Sequence, residues 1–274
     1  MYASSFNYLR AGSVAEAATL LQQNPGAKIL AGGHSLIPLL KLRLASPETV
    51  IDIGRVPELR GISVAGGLLT IGALTTHAEL AASPVVRDAA PALAEAAGHV
   101  GDPAVRNRGT IGGNVAHADP ASDLPAVLTA LGARFDINGP KGGRSVPASE
   151  FFQGMMATAV GEFDLLTSVA VPVKAKGQGS AYIKFEHPAS RYAVIGAAAV
   201  ITISGGTISA ASVALCGLVP APQRATAVEK ALVGHPASPA VIEAAAKRVS
   251  EDLGADVIGD LFASAEYRAA IAHV

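Results

Sequence analysis

Two short stretches carry the residues best placed to hold a ligand: Ala31-Gly32-Gly33-His34-Ser35-Leu36 and, about eighty residues later, Thr110-Ile111-Gly112-Gly113-Asn114. Glycine has no Cβ, so backbone N–H groups in such loops can come close to an anion such as a phosphate. Thr110 and Asn114 add a hydroxyl and an amide beside the second pair. One Gly-Gly after a strand reads equally well as an ordinary turn. Two of them suit a dinucleotide, whose diphosphate and polyol need contacts spread along their length. Asp119, Ser122 and Asp123, just downstream, can accept hydrogen bonds from sugar hydroxyls, and the same residues read as a turn and a helix cap. Neither loop has the G-x-G-x-x-G spacing of the doubly wound nucleotide fold, which removes the main support for a nicotinamide Rossmann domain.

The rest of the composition excludes more than it adds. Lys and Arg number 21 against 22 Asp and Glu, with no run of either sign, so the basic footprint of a nucleic-acid binder is missing. Cys216 is the single cysteine, which excludes an internal disulfide and a cysteine-ligated iron–sulfur cluster on this chain. The histidines show no metal-ligand spacing, so no metal is expected. Half of the residues are apolar and 16% are charged, enough for a packed interior. The longest apolar stretch, Ala193 to Ile203, is interrupted by Gly196 and falls short of the roughly 20 residues of a membrane span. The opening residues lack the basic start and apolar run of a secretory signal, and the expected location is the cytoplasm.

The first glycine loop sits at the end of a β-α-β unit. Phe6 to Leu9 and Lys28 to Leu30 read as strands, and Ser13, with Glu16 at the capping-box position, starts a helix from Val14 to Gln23 that Asn24-Pro25-Gly26 stops. Thr49 to Ile53 is a further strand, and Gly61 to Leu74 a hairpin around Gly66-Gly67. A helical region runs from His77 to His99, with a break expected at Pro84 and Pro91 in the first turn of its second half. It leads into a long glycine-containing loop, Gly101 to Asp123, and then a short helix from Leu124 to Leu131. Arg134 to Ile137 reads as a strand followed by a turn. The polar stretch Pro172 to Gly179 marks a boundary near Lys176. Beyond it, Ala181 to Phe185, Ala193 to Ile203 and Thr207 to Leu218 read as strands, followed by helices at Thr226 to Val233 and Pro239 to Leu253. That order predicts an α+β protein.

Taken together, Ala31 to Pro38, Gly109 to Asn114 and the Asp119-Pro120-x-Ser122-Asp123 element resemble the FAD-binding medium subunits of the carbon monoxide dehydrogenase and xanthine dehydrogenase family, the molybdenum hydroxylases. The likeness extends through Phe151-Phe152, Gly161-Glu162-x-x-Leu165-Leu166 and Ala265-Glu266-Tyr267-Arg268. It implies a two-subdomain FAD-binding fold of the PCMH/vanillyl-alcohol-oxidase type over residues 1–176, divided at about residue 57, and a C-terminal domain over 177–274 with an antiparallel sheet and helices. It also implies non-covalent FAD as cofactor. The backbone of Ala31, Gly32, Gly33, His34, Ser35 and Leu36 and that of Thr110, Ile111, Gly112, Gly113 and Asn114 would hold the diphosphate. Asp123 would bind further along the cofactor, with Leu166, Lys184 and Tyr192 near the flavin ring. The stretch Glu186-His187-Pro188-Ala189-Ser190-Arg191 is less basic than usual in relatives.

A GGHS element also occurs in oxidases of the berberine-bridge type, where the histidine can bond the flavin covalently. Leu30 stands where those oxidases usually have Arg, which favours His34 as a loop-stabilising group. The resemblance implies an electron-transfer subunit and no catalytic side chain. Its partners would be a small 2Fe–2S subunit and a large molybdopterin subunit in a dimer of heterotrimers, and NAD, a quinone or oxygen would accept the electrons. The alternatives are a self-sufficient flavin oxidase or reductase of the same fold, and a flavin-free scaffold.

Overall fold

The computed structural model describes residues 2–274. At the N-terminus, Asn7–Arg10 and Lys28–Leu30 flank Thr49–Asp52 in a three-stranded sheet whose pairs are both parallel. Parallel strands need crossover connections, and the helix Val14–Gln23 supplies the one between the two outer strands. It starts where the sequence signals it: Ser13 Oγ accepts the Glu16 N–H at 3.1 Å, and the Glu16 carboxylate accepts the Gly12 N–H at 2.7 Å. Ala17 and Leu21 bury its inner face against the strands.

A five-stranded antiparallel sheet follows, in the order Ile62–Ala65, Leu68–Gly72, Leu165–Pro172, Arg134–Gly139, Gly142–Pro147. Its second and third strands come from segments far apart in sequence, so the chain between them, helical for much of its length, must pack on the sheet. The expected helical region is three helices, His77–Ala82, Pro84–Ala89 and Pro91–His99, with prolines opening the second and third where their missing N–H costs nothing. Phe151 stacks on Phe135 at 4.0 Å beneath this sheet. The segment expected as one long loop between Gly101 and Asp123 holds two short helices, Pro103–Arg106 and Ile111–His117. Thr110 Oγ1 accepts the Gly113 N–H at 3.1 Å and so starts a helix in spite of the two glycines, while Ile111 and Val115 anchor it in the core.

The helix Asp123–Ala130 is buried along its whole length, packed between the N-terminal core and the C-terminal sheet. That sheet is antiparallel, in the order Gln178–Glu186, Ala193–Ser204, Thr207–Cys216, Gln223–Arg224, and is backed by the helices Thr226–Leu232, Pro239–Ala246 and Ala265–Ile271. Ser212 Oγ donates to the Ala130 carbonyl at 2.6 Å, tying the end of the buried helix to it. Among the described residues no helix is long and apolar enough to cross a membrane.

Candidate cofactor site

The two glycine loops face each other across a cavity of about 630 Å³, within the roughly 300–1,000 Å³ range of ligand pockets. Their approach explains Gly32: a Cβ there would run into the Arg108 carbonyl of the second segment. Gly33 adopts φ +83°, a region costly for other residues, and a Cβ on it would lie 2.7 Å from Ile37 Cδ1. The strand Lys28–Leu30 ends at this turn, and the Gly33 carbonyl accepts the Ile37 N–H at 2.9 Å to start the helix Leu36–Lys41.

The amides of the two loops differ in what they have left to offer. Among the described residues, the N–H groups of Gly32 to Leu36 meet no backbone acceptor, which leaves a run of donors at the cavity edge. In the second loop the Ile111 and Gly112 amides donate to the carbonyls of Thr75 and Ala73, each at 2.9 Å, and the Gly113 and Asn114 amides to the Thr110 hydroxyl and carbonyl. The expectation that both backbones donate to a diphosphate is therefore corrected for Ile111, Gly112, Gly113 and Asn114. The N–H groups of Ile111 to Asn114 already have acceptors, and the polar offering of this loop is the Thr110 amide with the Thr110 and Asn114 side chains. His34 Nε2 lies 3.1 Å from the Ala104 carbonyl, a contact that ties the first loop to the second segment.

Further along the cavity wall, Asp123 is buried at 4% exposure and accepts from two neighbours. The Tyr182 hydroxyl donates to its Oδ1 at 2.5 Å, and the Lys184 ammonium stands 3.0 Å from the same oxygen. Burial pushes the Asp123 carboxyl above the usual range, opposed by Lys184 and Tyr182. Asp164 also reaches the wall. The Arg144 guanidinium, 2.5 Å from its Oδ2, holds its carboxyl below the usual range. Ser122, expected as a helix cap, instead donates to Asn114 Oδ1 at 2.9 Å, so the second loop and the buried helix share one polar edge.

Of the residues expected to contact the cofactor, Ala31 to Leu36, Thr110, Gly112, Gly113, Asn114, Asp123, Leu166 and Tyr192 all line the cavity. Ile111 does not, because its side chain is fully buried in the core. Lys184 lies behind Asp123 with its side chain 1% exposed. Sequence reasoning missed Tyr182, Asp164 and His77. The i, i+2 spacing of Tyr182 and Lys184 on one strand is the signal that could have placed the first of these beside Asp123.

A cradle of free amides and the carboxylates of Asp123 and Asp164 on the same cavity wall fit a nucleotide-cofactor protein outside the Rossmann class. The comparisons give its family. Residues 4–174 match the family described as the FAD binding domain in molybdopterin dehydrogenase, and residues 180–274 match the CO dehydrogenase flavoprotein C-terminal domain. The carbon monoxide dehydrogenase medium chain of Hydrogenophaga pseudoflava is 42% identical over 97% of this chain and 93% of its own. The glyceraldehyde dehydrogenase medium chain of Sulfolobus acidocaldarius is 38% identical over 92% of this chain and 90% of its own. Among solved structures, carbon monoxide dehydrogenase from Hydrogenophaga pseudoflava superposes with a TM-score of 0.95 at 44% identity, covering 100% of this chain and 95% of that one. Quinoline 2-oxidoreductase from Pseudomonas putida 86 gives 0.94 at 33% identity, covering 100% and 94%.

The chain belongs to the FAD-binding medium subunits of the molybdenum hydroxylases, the carbon monoxide dehydrogenase and xanthine dehydrogenase family. It is an oxidoreductase subunit with the α+β fold of that family, and FAD is its cofactor. The residues present fit this group: five successive free amides suit a diphosphate, and the Asn114 and Asp123 oxygens suit its hydroxyls.

Proposed function

We propose that this chain is the electron-transfer subunit of a three-subunit molybdenum hydroxylase. It receives electrons from a small 2Fe–2S partner and delivers them to NAD, a quinone or oxygen, while substrate is oxidised on a large molybdopterin partner. The observation that carries the reading is the cradle of free amides from Gly32 to Leu36 opening onto a cavity of about 630 Å³, in a chain whose family carries FAD. When bound, FAD supplies the exchange of single electrons for pairs. The protein's part is to hold and orient it. The amides from Gly32 to Leu36 would hold the diphosphate, Thr110, Asn114 and Asp123 the polyol, and Leu166 and Tyr192 would lie toward the ring. No side chain acts as general acid or base.

Cys216, the single cysteine, is buried, so an iron–sulfur donor with cysteine ligands belongs to another subunit. The domain division at residue 176, the cytoplasmic location and a dimer of heterotrimers are part of the same proposal. The test is the visible spectrum of the purified chain before and after acid precipitation. Flavin bands that pass into the supernatant support a non-covalent FAD subunit, whereas bands that stay with the pellet favour a His34-linked oxidase. Substrate turnover by the isolated chain would favour the self-sufficient oxidase. A colourless protein that takes up no added FAD would sink the proposal.

A further inference from the structure

We propose that Lys184 is a positioning residue of this site, fixing the Asp123 carboxylate and the Arg191–Tyr192 turn on the cavity wall, and that it does not itself bond the cofactor. The proposal rests on the reading that FAD occupies this cavity. A lysine ammonium has three N–H donors and no more. Here the Nζ donates to the His99 carbonyl at 2.8 Å and to the Arg191 carbonyl at 2.6 Å, and it faces Asp123 Oδ1 at 3.0 Å. With the side chain 1% exposed, no donor is left to turn toward a ligand.

Each of the three acceptors comes from a different element, and each matters for the wall. His99 ends the helix Pro91–His99. Asp123 opens the buried helix Asp123–Ala130 and is also held, at the same Oδ1, by the Tyr182 hydroxyl, which projects from the same strand face as Lys184 two residues away. A glycine at position 196, paired with Lys184 across the sheet, makes room for this: a Cβ there would collide with the Tyr182 hydroxyl.

The third acceptor belongs to Arg191, whose backbone sits at φ +61°, a conformation that non-glycine residues hold only when their surroundings impose it. The His187 N–H donates to the Tyr192 carbonyl and the Arg191 N–H to the His187 carbonyl, each at 2.8 Å, closing the turn on itself. The Lys184 bond anchors this turn to the protein interior. It thereby sets where Tyr192, the next residue and half-exposed on the cavity wall, places its ring.

The test is a double-mutant cycle on the full chain with Lys184→Met, Tyr192→Ala and the pair together. The readouts are the FAD dissociation constant, the visible band shape of bound flavin and its midpoint potential. If Lys184 acts through Tyr192, each single change weakens FAD binding about tenfold or more, the two give the same altered band shape and potential, and the double variant is little worse than the poorer single one.

Losses that multiply independently both in this cycle and in the matching cycle of Lys184→Met with Asp123→Asn would mean that Lys184 acts on the cofactor by its own contact, and would overturn the proposal. So would a Lys184→Met chain that is less stable but holds flavin with wild-type spectrum and potential, since that is a purely structural role. Should Lys184→Met fail to fold, Lys184→Arg serves in the same cycle. It keeps a charge opposite Asp123, but its planar fork cannot meet three acceptors grouped around one nitrogen. Unchanged FAD affinity in both Tyr192→Ala and Asp123→Asn would remove the cavity reading itself, a failure distinct from the others.

Discussion

His77 gives the chain a calculable acid sensitivity. It is the first residue of the helix His77–Ala82, 3% exposed, and its Nδ1 is buried without a hydrogen-bond partner among the described residues. Burial first, then the nearby Arg106 guanidinium and His34, lower its pKa to about 4. In the unfolded chain the imidazole returns to about 6.5. As the pH falls, the unfolded state therefore takes up the proton first. The stabilisation is complete above about pH 6.5, declines toward pH 4 and is constant below that.

The slope in that window approaches about 1.4 kcal/mol per pH unit, so lowering the pH from 7 to 5 costs about 2 kcal/mol through this residue alone. Urea unfolding of the wild type and of His77→Phe, at both pH values and equal FAD concentration, isolates the effect. Other titrating groups contribute equally to both proteins and cancel, as does any constant packing change in the variant. The wild type is expected to lose about 2 kcal/mol more than His77→Phe between the two pH values. An equal loss in both proteins would refute a buried, neutral His77.

The same geometry makes three further predictions. Gly32→Ala drives a Cβ into the Arg108 carbonyl and pushes the two loops apart, so the chain should lose about 1–3 kcal/mol of stability together with its flavin. A full FAD content measured by absorbance would contradict the close approach. Cys216 is 2% exposed and burial pushes its thiol up to about 12, so an aromatic disulfide reagent at pH 8 should react only after denaturation. Rapid labelling of the folded chain would show that the core around it opens. Tyr182→Phe takes one donor from Asp123, which should cost about 1–3 kcal/mol in urea unfolding and weaken FAD binding. If both quantities stay at wild-type values, the hydroxyl does not hold the carboxylate.

Local chemistry was legible in the sequence wherever a few neighbouring residues decide the outcome. Ser13 and Glu16 set the start of the first helix, Pro84 and Pro91 open new helices, and three of the four C-terminal strands lie within a few residues of their apolar runs, the short Gln223–Arg224 having none. The helix Ile111–His117 was not legible, because Gly112 and Gly113 have poor helix propensity. The Thr110 cap and the burial of Ile111 and Val115 outweigh that propensity, and burial is a property of the whole fold. Tyr182 and Asp123 meet from 59 residues apart, a pairing that no local pattern encodes. The family resemblance placed Lys184 at the site but said nothing about which way its ammonium points.

The two glycine pairs show why similar sequence can do different work. Gly33 turns the chain at a strand end, where the following amides have left one ladder and not yet entered a helix, so they keep their donors free. Gly112 and Gly113 lie inside a capped helix that also bridges to the Ala73–Thr75 segment, and their amides are bonded before any ligand arrives. Replacing the second pair should therefore act through packing of the loop against its neighbours, whereas replacing Gly33 removes the conformation that presents the donors. A glycine-rich loop binds an anion through its glycine amides only where the surrounding fold leaves them unpaired, and of these two glycine pairs the first meets that condition.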